Sequence, residues 1–104
     1  MTRIATVMYV NEDSYDAYKR RHDELWPEMK QLLKESGVHD YSIFLNEATG
    51  ELFAVLDAND KTAYDNMAQN PICRKWWDYM SDIMQVNEDN SPKSTVLREM
   101  FYLK

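Results

Sequence analysis

Four stretches of the chain have the residue pattern of a β-strand. Residues 3–10 are rich in β-branched and aromatic side chains, which strands favour. Residues 39–46 alternate between apolar and polar positions, and the turn sequence NEATG joins them to a returning strand over residues 51–57. After a polar loop at residues 87–94, the segment TVLREMFYL (95–103) is predicted as the last strand.

The segment between the first two strands has the three-to-four-residue spacing of a helix. The positions that recur on one face are Tyr15, Tyr18, His22, Leu25, Met29 and Leu32. Pro27 interrupts this face, so we expect either a kink or a second helix that begins there. Gly37 is the expected end of the helical region.

A second helical region lies between residues 60 and 84. Asp60 is a plausible N-cap, and Asn70-Pro71 has the residues that restart a helix. The apolar positions predicted for the helix that starts at Asn70-Pro71 are Ile72, Cys73, Trp76, Trp77, Met80, Ile83 and Met84. The order β-α-β-β-α-β is that of an α+β, ferredoxin-like fold, and 104 residues suit a single domain over 1–104.

Both faces of the predicted sheet are apolar. In the first strand, Ile4, Met8 and Val10 alternate with Ala5, Val7 and Tyr9. Two helices cover only one face, so the other face needs a second chain or an apolar ligand. We therefore expect a homodimer that packs sheet against sheet as a dimeric α/β barrel.

Charge and composition narrow the class of protein. The net charge of −6 argues against a nucleic-acid partner, and no apolar run reaches the 18 residues of a membrane span. Two glycines are too few for a phosphate-binding glycine loop, and the lone Cys73 cannot form an intrachain disulfide. His22 and His39 lack the spacing of a metal motif, and there is no GxSxG elbow for a hydrolase. We expect a cytoplasmic protein without a metal or other cofactor.

His22 is the residue with the clearest chemical potential. Its imidazole, with a pKa near 6.5, suits proton transfer at neutral pH, and Tyr18 lies one helical turn earlier on the same face. The competing interpretation is a half-buried histidine that is hydrogen-bonded to a carbonyl. His39, at the start of a strand, is expected at the surface.

The aromatic residues have two interpretations as well. They could fill a core or a dimer interface, or they could form a sugar site in which rings stack on C–H groups and polar tips bind hydroxyls. Tyr41 alternates with Ile43 and Leu45 and could face the cavity of Tyr18 and His22. Trp76 and Trp77 differ by about 100° in direction on a helix, so they should not meet a ligand in the same way.

Several segments together resemble the L-rhamnose mutarotase family. They are RRHDELWPEM (20–29), HDYSIFL (39–45), CRKWWDYM (73–80), NEDNSP (87–92) and the terminal FYLK, and the resemblance runs from end to end. It implies a dimeric α+β barrel and an isomerase that interconverts the α and β anomers of L-rhamnose without a cofactor. By position, His22 matches the proton donor of the family, and Tyr18, Tyr41, Trp76 and Trp77 match its sugar-contacting residues.

The implied reaction needs only proton transfers. We expect His22 to give a proton to the ring oxygen in one direction and to recover it in the other, while the complementary base stays unassigned. Two other classes stay open at this point, because a fold does not determine a function. They are a cofactor-free monooxygenase with an aromatic substrate and a dimeric sugar-binding module without catalysis.

Overall fold

A four-stranded antiparallel sheet with helices on one face forms the protein. The computed structural model describes residues 2–104. The strands are β1 (Thr2–Tyr9), β2 (Val38–Asn46), β3 (Glu51–Ala58) and β4 (Thr95–Val96); the helices are α1 (Tyr15–Asp23), α2 (Pro27–Glu35), α3 (Lys61–Asn66) and α4 (Pro71–Met80). The sheet order is β2-β3-β1-β4. The predicted ferredoxin-like fold is confirmed, with each helical unit divided in two.

Proline and capping residues explain the divided helices. Pro27 occupies the first turn of α2 after an extended Trp26, so the predicted second helix is confirmed rather than the kink. Asn70 caps α4 by accepting a hydrogen bond from the Ile72 N–H, with Pro71 in the first turn. Gly37 follows α2 with a φ of +79°, as expected for the end of a helix.

A β-bulge changes which residues of β2 face the helices. His39 pairs with Asp57 and the next pair is Ser42 with Val55, so Asp40 and Tyr41 together oppose one residue of β3. Asp40 has a φ of +53°, in the left-handed region. The extra residue places Tyr41 on the same face as the buried Val38, although the two lie an odd number of positions apart.

The last strand is much shorter than the predicted 95–103. Only Thr95 and Val96 pair with β1, and the Leu97 N–H adds one hydrogen bond to the Ala5 carbonyl. Beyond this point the segment leaves the edge of β1 and its side chains are exposed. Alternating apolar residues require a covering surface, and among residues 2–104 the apolar side chains of this segment stay largely exposed.

Helix α4 ends at Met80, earlier than predicted. Ile83 and Met84 are buried as expected, but they lie in a turn and an extended segment beside the end of β1. There the Asn11 N–H donates to the Ile83 carbonyl, and the Gln85 N–H donates to the Tyr9 carbonyl. Tertiary hydrogen bonds therefore replace those of another helical turn. Over residues 2–104, no helix combines the length and apolarity needed to cross a membrane.

Candidate active site

A cavity of about 800 Å³ lies between the helices and the face of the sheet that they cover. All five residues expected at the site line it: Tyr18, His22, Tyr41, Trp76 and Trp77. They come from α1, β2 and α4, so the fold brings together three distant segments. Much of the remaining wall is apolar, with Met29, Leu52 and Met67 among its residues.

The imidazole of His22 is held in one orientation by its own helix. Its Nδ1 lies 3.0 Å from the carbonyl oxygen of Tyr18, so Nδ1–H donates and Nε2 is the nitrogen available for proton exchange. Burial lowers the pKa of His22, while the hydrogen bond to Tyr18 and the nearby Asp23 partly oppose this shift. The resting imidazole is therefore neutral at pH 7. Sequence analysis offered two interpretations of His22: a half-buried histidine bonded to a carbonyl, or a catalytic residue. The structure shows the bond to a carbonyl, and it also places the same imidazole in the cavity wall.

Aromatic rings enclose His22 on two sides. The ring of Tyr18 stacks on it at 4.2 Å between centroids, and Trp76 meets it edge-on at 5.4 Å. Trp26 in turn packs edge-on against Trp76 at 5.1 Å. This packing limits the rotamers that His22 can adopt.

The ring cluster also packs against three residues to which sequence reasoning assigned no role: Arg21, Trp26 and Tyr79. The Arg21 guanidinium lies 4.4 Å from the centre of the Tyr79 ring and forms two hydrogen bonds to the Asp82 carboxylate, at 2.8 and 3.2 Å. The same guanidinium holds the pKa of Asp82 below its usual value. These contacts tie α1 to the end of α4, a link between residues about 60 positions apart that no local pattern reports.

The two tyrosines of the cavity keep their protons at neutral pH. Burial raises the pKa of Tyr18, with a smaller effect from Tyr41, and desolvation by the surrounding protein also raises the pKa of Tyr41, although this residue is 41% exposed beside the cavity. Both phenols are therefore hydrogen-bond donors rather than bases. Burial likewise raises the pKa of Cys73 to about 11, so this cavity-lining thiol is not a ready nucleophile.

The two tryptophans of α4 differ in burial, in keeping with the different directions that neighbouring residues take on a helix. Trp76 is only 7% exposed and belongs to the buried core, whereas Trp77 is half-buried. The Arg74 guanidinium lies 5.0 Å from the centre of the Trp77 ring. Both indoles border the cavity.

Polar residues that sequence reasoning missed also border the cavity. Lys19 and Asp23 form an ion pair at 2.6 Å. The segment after α4 adds Asn87, Ser91 and Ser94 to the wall. These side chains lie outside any apolar pattern, so only the tertiary structure reveals their position.

His39 lies apart from the cavity, as expected. It points to the other face of the sheet, where its ligating atoms and those of Asp40 and Asp57 lie within 4.8 Å of one another. Its Nδ1 lies 3.0 Å from the Asp40 carboxylate and its Nε2 lies 3.0 Å from the side-chain oxygen of Asn59, while Arg3 donates to Asp57. The hydrogen bond to Asp40 is the largest cause of a raised pKa for His39. The sequence spacing did not reveal this cluster because Asp57 comes from the neighbouring strand.

The fold and the cavity place the chain in the class of ferredoxin-like α+β proteins with a site between sheet and helices. The family model of L-rhamnose mutarotase matches residues 3–103. An L-rhamnose mutarotase of Shouchella clausii is 55% identical over 103 residues, which cover 99% of each chain. The crystal structure of an L-rhamnose mutarotase from Formosa agariphila superposes with a TM-score of 0.92 at 51% identity, covering both chains fully. The chain therefore belongs to the L-rhamnose mutarotase family, and the resemblance stated from its sequence is confirmed.

A more distant structural likeness bears on the fold alone. The crystal structure of an antibiotic biosynthesis monooxygenase superposes with a TM-score of 0.64 at 11% identity, covering 96% of this chain and 99% of the other. It shares the ferredoxin-like architecture. At this level of identity the likeness carries no chemistry across.

Proposed function

We propose that this chain acts as a single domain that interconverts the α and β anomers of L-rhamnose, using no cofactor. The observation that carries the proposal is the His22 imidazole, which is neutral, fixed through Nδ1 and placed in the wall of a cavity rich in aromatic rings. Membership of the L-rhamnose mutarotase family supports the choice of substrate. An isomerisation that moves only protons is the chemistry that such a group performs.

We propose that His22 carries one proton between two oxygens of the sugar. Nε2 takes the proton of the anomeric hydroxyl, and the resulting imidazolium gives it to the ring oxygen as the C1–O5 bond breaks and the C1=O1 bond forms. Rotation about C1–C2 exposes the other face of the carbonyl, and the reverse transfers close the ring. Because both oxygens are bonded to C1, one nitrogen can serve both, and the complementary base sought in the sequence is His22 itself.

The expected sugar-contacting residues then have separate tasks. The hydroxyls of Tyr18 and Tyr41 keep their protons and donate hydrogen bonds to sugar oxygens. Trp76 and Trp77 offer an N–H and ring faces from two directions. The apolar part of the wall accommodates the C6 methyl group, whose burial requires no polar partner.

The proposal is tested by saturation-transfer NMR on L-rhamnose, which measures exchange between the two anomeric protons. The chain should accelerate exchange, and His22→Ala should lower the catalysed rate by roughly 10²–10⁴-fold, the usual contribution of a positioned acid–base group. His39→Ala is the matched control, since it removes the other histidine of the chain, outside the cavity, and should retain the rate.

Other results would reject the proposal. Binding of L-rhamnose without faster exchange would indicate a sugar-binding module. Full activity of His22→Ala would remove the proton carrier. Oxygen consumption with an aromatic substrate, and no effect on any anomer exchange, would favour a monooxygenase.

We also propose that the chain works as a homodimer. The exposed residues Val96, Met100, Phe101 and Leu103 form an apolar C-terminal segment, with Phe101 78% and Leu103 80% exposed. On β2, Phe44 is also 64% exposed. Such a surface on a small protein calls for a cover, and a second copy supplies one by packing sheet against sheet.

A further inference from the structure

The polar loop (residues 87–94) borders the cavity without a role in the reaction described above. It contributes Asn87, Ser91, Pro92 and Ser94 to the wall. Much of the wall elsewhere is aliphatic or aromatic, whereas a sugar presents several hydroxyls that each need a partner. The amide and hydroxyl groups of this loop are of the type that bind hydroxyls.

The polar loop has a defined shape because it bonds to itself. The Asn87 N–H donates to the Ser91 carbonyl at 2.8 Å, and the Asn90 N–H donates to the Asn87 carbonyl at 2.9 Å. Asn90 adopts a left-handed conformation with a φ of +68°. The Asp89 carboxylate accepts hydrogen bonds from the N–H and the hydroxyl of Ser91. These hydrogen bonds should therefore keep the residues of the loop in a fixed arrangement relative to one another.

Two side-chain contacts attach the polar loop to α4. Arg74 donates to the Asp89 carboxylate at 2.9 Å, and the side-chain amide of Asn90 donates to Asp78 at 3.0 Å. The guanidinium that binds Asp89 is also the one over the ring of Trp77. One planar cation thus touches both the polar loop and an indole of the cavity, a combination that the guanidinium of arginine supports better than the ammonium of lysine.

We propose that Arg74 is a positioning residue that holds Trp77 and the polar loop together as one sugar-binding wall. Through Asp89, Arg74 sets where Asn87 and Ser91 meet the sugar hydroxyls. This inference rests on the proposed function, since it assigns the wall to the same sugar site. Arg74 does not itself line the cavity, whereas His22 does, so the contribution of Arg74 is to sugar binding through its neighbours and not to the proton transfer.

The ion pair between Arg74 and Asp89 is exposed, so its effect on the sugar site can be measured apart from any effect on folding. The side chains of Arg74 and Asp89 are 38% and 55% exposed, and such surface pairs add little to stability. Loss of the pair should leave the fold intact. A change in sugar binding would then report the geometry of the wall.

The test measures sugar affinity and catalysis separately in the full chain. Arg74→Gln and Asp89→Asn should each raise the Kd for L-rhamnose in calorimetry, and the KM for anomer exchange, by about tenfold, with kcat within about twofold of the unmodified protein. The double variant should be no worse than Arg74→Gln alone, because Arg74→Gln already removes the contact with Asp89. Arg74→Lys should recover only part of the affinity, since it restores the charge but not the planar guanidinium that lies over Trp77 and binds Asp89. Lys75→Gln removes a positive charge from the next position of α4 and should change neither constant.

Each other outcome overturns the inference. An unchanged Kd and KM in Arg74→Gln would show that the wall does not depend on Arg74. A fall in kcat alone would place Arg74 in the chemistry, and full recovery by Arg74→Lys would reduce its role to charge. If Arg74→Gln proves unfolded by near-UV circular dichroism, Asp89→Asn with normal affinity would likewise reject the positioning role.

Failure of the proposed function gives a different pattern. If the unmodified chain binds L-rhamnose without accelerating exchange, the mutarotase assignment fails while the Kd values still test Arg74. If the unmodified chain neither binds L-rhamnose nor accelerates its exchange, both are rejected together.

Discussion

His22 depends on its surroundings for its protonation state. Histidine ordinarily titrates near pH 6.5, and burial lowers the pKa here, whereas the exposed His39 has a raised pKa. The Tyr18 carbonyl fixes which nitrogen carries the proton, so neutral His22 presents an unprotonated Nε2. The two histidines of the chain are therefore shifted in opposite directions by burial and by hydrogen bonding.

These shifts predict the pH dependence of the reaction. The neutral imidazole takes the first proton, so anomer exchange should hold its rate above pH 6.5 and fall only at lower pH, where His22 becomes protonated. NMR titration of the imidazole C2 protons should place the pKa of His22 below that of His39, which serves as the internal reference. A rate that increases as the pH falls would mean that imidazolium starts the reaction, against the proposed order of transfers.

The lowered pKa of His22 also makes the stability of the folded chain depend on pH. The unfolded chain binds a proton on His22 more readily than the folded chain does, so this residue lowers stability as the pH falls from 6.5 through the lowered pKa of the folded state.

At the scale of elements, α4 matters most because it carries Trp76, Trp77 and Arg74. The Asn70 side-chain oxygen accepts from the Ile72 N–H at 2.8 Å and so satisfies one free donor of the first turn. Pro71 adds a backbone already set for the helix. Both signals are local, which is why the sequence predicted the start of this helix and not its end.

Removal of the cap should be measurable without loss of the fold. Asn70→Ala should lower the free energy of unfolding by about 1 kcal/mol, as measured by urea denaturation. Asn70→Asp keeps an acceptor at the same position and should retain most of the stability. Equal losses in the two variants would show that the cap contributes nothing and that Asn70 stabilises the chain by another route.

At the scale of the whole molecule, the C-terminal segment is the part whose apolar side chains stay exposed in a single chain. Residues beyond Leu97 leave β1, and their apolar side chains are exposed. The Tyr102 ring contacts the rest of the chain, with the Arg3 guanidinium 4.6 Å from its centre. The proposed partner would bury the rest of this surface.

The proposed dimer gives a direct prediction. Light scattering should report about twice the chain mass of 12.4 kDa, and Phe101→Glu should raise the dissociation constant of the dimer by about tenfold or more, as for a central apolar contact. Lys104→Gln changes the net charge by the same amount and should leave the dimer intact. A monomeric unmodified chain at tens of micromolar would reject the dimer, and an unaffected Phe101→Glu would move the interface away from this segment.

The candidate site was predictable only where its signals were local. Tyr18 and His22 share a helix face, and Tyr41 alternates with Ile43 and Leu45, so periodicity could group each set. Periodicity could not detect the bulge at Asp40, which places Val38 and Tyr41 on one face. The resemblance to the family joined the segments, but the roles of the five residues stay predictions until variants are measured.

By itself, the sequence determined the order of strands and helices, the helix start at Pro71 and the family, and it limited Pro27 to either a kink or a new helix. These follow from side-chain spacing, capping groups and proline geometry, which act between residues close in the chain. Only the tertiary structure decided that Arg21 braces the aromatic cluster, that Arg74 contacts both Trp77 and Asp89, and that the last strand stops at Val96. Contacts between distant segments depend on the packing of the whole chain, and no local pattern of residues encodes them separately.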